Sequence, residues 1–434
     1  MLKGMPRTLY HAMLNGMIPR VPNGALLAKK DSIYIPSQPS ILMERFESGN
    51  GYAKGSSGTL TNDTTDFVTG TQSVKMTTDG AGTVMQLTKT YGSPINLTGS
   101  YLLIRAKIDS FAKLGEFTLY IANEAGFVNW SILDLGAVGD GQSFHYLEDG
   151  IWQNIIVDLG MLQVGGGTFN PAALTTIRVR AKDKGGAAPV NVWIDEVSAI
   201  ARLPKGIVVI TADDGWAVQD TAMRPVLDKF GFRPTLYIIP DAVGTPNYLT
   251  LSAIKRLQHI NRWEMGLHHQ TNLVTLKAQY GAAFVETTMQ KGLEYGLLNG
   301  FNGIHHFALP NGAFDQTILD IMKRYFKTSR GIIYGSNSSF PYLEQCPMGD
   351  LYKIRCFDVR SSHSTATIQS LFDRVELQHS VGIFNFHKIV SSLTGDVIEY
   401  LDTNFTTIIN YLATKNVLVL TMGELYNYMV QNIG

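Results

Sequence analysis

The stretch Val208-Val-Ile-Thr-Ala-Asp-Asp-Gly-Trp216 decides how the second half of this chain is read. Val208, Val209, Ile210 and Thr211 run straight into two adjacent aspartates, then a glycine and a tryptophan. A short apolar run bounded by turn residues is the pattern of a strand buried on both faces, as in a parallel sheet. Two neighbouring carboxylates at its end raise each other's pKa and repel. A bound cation, a shared proton or exposure at a turn would each offset that repulsion.

The segments that follow fit a parallel sheet with helices. Met223, Val226, Leu227 and Phe230 fall on one helical face, and Gly231 is placed to end that helix. Phe405, Ile408, Ile409 and Leu412 form a second stripe, Asn416 follows as a cap, and Val417-Leu-Val-Leu420 reads as a buried strand. Strands alternating with amphipathic helices from residue 204 to 434 predict an α/β layered or barrel domain. In such domains the chemistry collects where strand C-termini meet loops.

Before Pro204 the texture is different. In Tyr101–Ile108, Leu102, Ile104, Ala106 and Ile108 share one face, and Leu103, Arg105 and Lys107 the other. Ile177, Val179 and Ala181 alternate with Arg178, Arg180 and Lys182, and Val190, Val192 and Ile194 repeat the pattern. Such alternation predicts half-buried antiparallel strands, and Gly- and Ser-rich turns separate them. Residues 41–203 therefore read as a jelly-roll β-sandwich. Residues 1–40 carry Gly, Pro and Met without periodicity and read as a leader or attachment segment.

Composition narrows the function classes. With 36 basic and 36 acidic residues among 434, there is no electrostatic footprint for nucleic acid. No run of about eighteen apolar residues predicts a membrane span, and the N-terminal stretch lacks a secretory signal pattern. Cys346 and Cys356 are too few for a disulfide framework, and their spacing fits no zinc pattern.

Three stretches end in groups that a catalytic site uses. Asp213 and Asp214 close the first; Trp263–Asn272 places His268 and Asn272 four apart, with His269 between them; Gly382–His387 ends an apolar run on a histidine. Asp and His ligate divalent metals, and a spacing of four lets two side chains converge on one ion. One aspartate can ligate while the other serves as general base, and a histidine opposite can protonate the leaving group. This describes metal-assisted hydrolysis of an amide or ester. The alternatives are a carboxylate-rich turn without a ligand and histidines in structural roles.

Residues 205–430 resemble the polysaccharide deacetylases of carbohydrate esterase family 4. Thr211-Ala-Asp-Asp-Gly215 resembles T-F-D-D-G, Phe232–Ile239 the following strand, and Glu264-Met-Gly-Leu-His268 the start of the metal motif H-[ST]-x-x-H. Phe307-Ala-Leu-Pro-Asn-Gly312 resembles F-R-x-P-Y-G, Ile383–His387 the strand ending in the catalytic histidine, and Leu420–Leu425 the closing strand and helix start. The resemblance implies a distorted (β/α) barrel that removes acetyl groups from N-acetylated sugars with a divalent metal. It makes Asp213 the general base, His387 the general acid, and Asp214 and His268 metal ligands. Asn272 falls on the third ligand. Asn311 would hold the oxyanion through its backbone N–H, beside Pro310. The metal is expected to be zinc, with cobalt, nickel or manganese as alternatives.

Two positions depart from the family pattern. Asn272 stands where a histidine is usual, with His269 a candidate to replace it. Ala308 stands where an arginine orients the base, with His305 and His306 close by to fill that role. Trp216 is placed either to stack on a sugar ring or to pack in the core. The sandwich resembles a carbohydrate-binding module, with a spacer or assembly domain as the alternative. The expected substrate is an N- or O-acetylated cell-surface polysaccharide. The expected location is extracellular or virion-associated, as in a phage tail component attached through residues 1–40, and homo-oligomeric. The competing expectation is a catalytically impaired deacetylase fold that only holds glycan.

Overall fold

The computed structural model describes residues 40–47, 51–137, 149–332, 343–346, 348 and 350–431. Of the leader, residues 1–40, all but Ser40 lie outside them. The described chain divides into two compact units, one reaching to Arg202 and the other starting at Leu203.

The first unit is a sandwich of two six-stranded antiparallel sheets. Asn191–Ala201 is central in one sheet, between Ser73–Thr77 and Ser100–Ile108. Leu174–Asp183 is central in the other, between Val84–Ile95 and Leu114–Ala122. The apolar sets read from the sequence meet in one core: Leu102, Ile104, Ala106 and Ile108 join Ile177, Val179, Ala181, Val190, Val192 and Ile194. The opposite face of Ser100–Ile108 departs from the half-buried expectation, because Arg105 and Lys107 are buried there too. Arg105 donates to Asn154 and Glu196, and Lys107 pairs with Asp66 beneath the ring of Trp193, so each cation is compensated.

The second unit is built on an eight-stranded parallel sheet. Its strands are β1 (Gly206–Asp214), β2 (Thr235–Ile238), β3 (Glu264–Leu267), β4 (His306–Ala308), β5 (Thr328–Arg330), β6 (Phe357–Asp358), β7 (Val381–Phe386) and β8 (Val417–Leu420). The order is β5-β4-β3-β2-β1-β7-β6. One edge of β1 is shared, with β2 along Thr211–Asp214 and β8 along Gly206–Val209. Residues 351–354 bond to β5 and run on into β6, so the sheet curves toward a distorted barrel.

Along β1, Val208, Ile210 and Ala212 belong to the apolar core that includes the helices. Thr211 and Asp213 take the other parity and carry the polar side chains, the period-two consequence of a pleated strand. The second predicted helical stripe is buried as expected on Asp402–Leu412, but that helix ends at Ala413. Asn416 gives its N–H to Glu376 and does not cap. Around the first stripe, Gln219–Met223 forms a π-turn that leads into a helix over Arg224–Asp228. Met223 and Leu227 are fully buried there.

Candidate active site

The two adjacent aspartates turn to different partners. Asp214 has φ 73° and Gly215 φ 83°. The chain therefore leaves the strand sharply at Asp214, a conformation that aspartate tolerates better than most non-glycine residues. The carboxylates consequently find separate partners.

Asp213, 2% exposed, accepts from Arg330 Nη2 at Oδ1 and from Asn385 Nδ2 at Oδ2, the latter at 3.2 Å. Arg330 also donates to Asn385 Oδ1 at 3.0 Å and stands 4.9 Å over the ring of Tyr237. Asn385 Nδ2 reaches on to Asp358 Oδ1 at 3.0 Å, and Thr211 Oγ1 donates to Asn385 Oδ1 at 3.0 Å. Every member sits on β1, β5, β6 or β7, so the sheet fixes their spacing. Burial opposes the charge of Arg330, but Asp213 outweighs it and holds the guanidinium's pKa above its ordinary value.

His387 directly follows β7. Its Nε2 lies 3.9 Å from Asp213 Oδ2, and its Nδ1 lies 3.5 Å from Asp358 Oδ1. Asp358 is in turn paired with Arg360 at 2.8 Å. An imidazole set between two carboxylates at the mouth of a parallel sheet can carry a proton to or from a reacting atom.

Asp214 faces His268, with 3.4 Å between Oδ1 and Nε2, and accepts from Trp216 Nε1 at 2.9 Å. Burial pushes the Asp214 carboxyl up, but the hydrogen bond and charge of His268, the charge of His387 and the indole N–H together hold it at about 2. His268 donates Nδ1–H to the Ala308 carbonyl at 2.7 Å, which fixes the ring and aims Nε2 at Asp214. Burial lowers the His268 pKa, and the two aspartates with the Ala308 carbonyl more than reverse it.

Other expected site residues take different places. Asn272 caps the helix Leu273–Tyr280, its Oδ1 accepting from Val274 at 2.9 Å and Thr275 at 3.4 Å. That oxygen serves the helix end. His269 turns its Nδ1 to the backbone of Thr271. Among the described residues no three His, Cys, Asp or Glu side chains converge on a metal position. Asp214 and His268 bring one carboxylate and one imidazole together, and these two would be the donors to a divalent ion. Trp216 stacks on Tyr248 at 4.3 Å while Lys388 stands 4.2 Å from its ring. It serves Asp214 through its N–H. Pro310 is buried, and Asn311 is exposed with φ 58°, in the turn that leaves β4 just after the Ala308 carbonyl.

Two residues were missed by the sequence reading. Arg330 supplies the guanidinium absent at 308, and it is the direct lateral partner of Ala308 in the β4–β5 register. His305 and His306 do not fill that role: His306 is bonded to Thr328 Oγ1 at 2.9 Å, at the opposite end of β4. Asp358, beside His387, is the second. Both sit at the ends of strands of two or three residues, and the only signal in the sequence is a charged residue closing a short segment after a helix or a loop.

No protein-family model and no curated protein matches the chain. Several solved structures are similar to it at low identity. The Xyl-CE4 domain of a multidomain xylanase from the hindgut metagenome of Trinervitermes trinervoides is 13% identical, with TM-score 0.35, over 52% of this chain and 91% of that one. A family 4 carbohydrate esterase from Streptomyces lividans, solved with acetate, is 17% identical with TM-score 0.32, over 48% and 86%. A family 11 carbohydrate-binding module from Clostridium thermocellum is 12% identical with TM-score 0.29, over 38% and 96%. At that distance the chemistry has to come from the residues of this chain.

Proposed function

We propose that the parallel-sheet unit hydrolyses acetyl groups on a polysaccharide, N-acetylated or O-acetylated, at a cell surface. The observation that supports this reading best is the pairing of Asp213, held by Arg330 and Asn385, with His387 3.9 Å away, backed by Asp358. Asp213 takes a proton from water as the water oxygen attacks the acetyl carbonyl carbon. His387 in its protonated form gives its proton to the departing sugar nitrogen or oxygen as the acyl bond breaks. Acetate and the free sugar amine or hydroxyl are the products. The backbone N–H of Asn311 would steady the developing oxyanion. Asp214 and His268 would hold a divalent ion, zinc or alternatively cobalt, nickel or manganese, which would polarise the acetyl carbonyl.

By the same reading the sandwich holds the glycan, and the protein works outside the cytoplasm, free or on a virion, attached through residues 1–40. No helix among the described residues is long and apolar enough to cross a membrane. A second reading, a glycan-binding protein without turnover, is favoured by the commitment of the Asn272 oxygen to its helix. Acetate release from acetylated glycans separates the two. Wild type should release acetate, and Asp213→Asn should cut the rate about 10³-fold. Elemental analysis should find a divalent ion in wild type that is lost in Asp214→Ala. No release and no bound ion would sink the hydrolytic reading and leave the binding one.

A further inference from the structure

Asp213 is the penultimate residue of β1 and His387 directly follows β7, and the β1–β7 register stops one residue before them, at Ala212 and Phe386. Past that point a side chain replaces the ladder. Gln219 Nε2 donates to the Asp213 carbonyl at 2.6 Å and to the His387 carbonyl at 3.0 Å. Its amide has two N–H groups, so each carbonyl can receive one. Gln219 is fully buried, and its Oε1 has no partner among the described residues. It opens the π-turn Gln219–Met223, a distortion that recurs at functional sites because it re-aims a side chain.

We infer that Gln219 is a positioning residue that closes the last rung between the two strand ends and so sets the separation of Asp213 and His387. Two buried carbonyls side by side would otherwise be left without a donor, at a cost comparable to a lost hydrogen bond each. The strands would relieve this by spreading apart. Base and acid must reach one acyl group together, so a spread of about 1 Å costs about 100-fold in rate. The inference rests on the hydrolytic reading for its rate effect, and on geometry alone for the separation.

The test is Gln219→Met, which keeps the length and loses both donors, against Gln258→Met. Gln258 is also buried and bridges backbone, through Gly300 and Asn302, without touching the site. Acetate release should show kcat lowered about 100-fold in Gln219→Met with KM within about twofold, and kcat unchanged in Gln258→Met. A crystal structure of Gln219→Met should show Asp213 Oδ2 and His387 Nε2 farther apart than 3.9 Å. Unchanged kcat, a loss matched by Gln258→Met, or an unmoved pair would overturn the inference. Should wild type itself release no acetate, the hydrolytic reading falls, and the crystallographic separation alone decides the role of Gln219.

Discussion

The two ends of the parallel sheet hold the same residue types and put them to opposite use. At the N-terminal end, Thr235, Glu264, His306 and Thr328 begin four adjacent strands. Glu264 accepts from Thr235 Oγ1 at 2.7 Å and from the Gly423 N–H at 3.0 Å, while Thr235 Oγ1 accepts from the Met422 N–H at 2.8 Å. The first turn of the helix Met422–Gln431 is thus seated on a carboxylate, as its dipole favours. A Cβ on Gly423 would press on the Glu264 carboxylate, so a larger residue there would displace it. Burial, followed by the charges of His305 and Lys327, pushes the His306 pKa down to about 3, and burial raises that of Glu264. At the C-terminal end, by contrast, each carboxylate faces a cation or a histidine. Both ends are largely buried, and the partners differ: hydroxyl and backbone groups make the carboxylate and histidine of one end into a plug. Charged partners at the other end leave its carboxylates and histidines able to exchange protons.

The contrast can be broken most forcefully at Arg330. Arg330→Met should strip Asp213 of its buried countercharge and cost about 3–5 kcal/mol in urea unfolding. Acetate release should fall with it. Adding Asp213→Asn should recover part of the stability but none of the activity, a non-additivity expected of one buried pair. If the single variant is as stable as wild type, the pair does not organise the site.

The plug end is sharpened by pH. The folded His306 pKa, about 3, lies below the ordinary unfolded value, so between the two the unfolded chain carries an extra proton. Stability from this group is therefore full above the unfolded pKa and falls as pH drops toward 3, by about 1.4 kcal/mol per pH unit. Urea midpoints measured from pH 7 to pH 4.5 should show a steeper decline in wild type than in His306→Asn. Parallel curves would mean that His306 titrates normally.

The smallest effect is expected at the edge of the site. Asn272→Ala should lose about 1 kcal/mol of helix capping. Asn272→Asp should keep the cap, add a second carboxylate oxygen four residues after His268, and tighten zinc binding in calorimetry. Equal affinity in wild type and Asn272→Asp would show that position 272 does not face the ion.

By itself the sequence determined the kind of domain at each place and most of the strand-end chemistry. The alternating segments Tyr101–Ile108 and Thr176–Lys182 announce sandwich strands, because a period of two survives whatever the strand pairs with. Val208–Asp214 announces a buried parallel strand with carboxylates at its exit, and Asp213, Asp214, His268 and His387 do gather at one end of the sheet. Only the tertiary structure decided which partner each of these groups has. Arg330 lies 117 positions from Asp213 and meets it because β5 lies beside β4 in register. Strands as short as Thr328–Arg330 and Phe357–Asp358 carry no periodicity from which that lateral placement could be read. The fate of Asn272 was open for a related reason. The same amide oxygen can ligate an ion or cap a helix, and in the structure it caps Leu273–Tyr280 directly behind it.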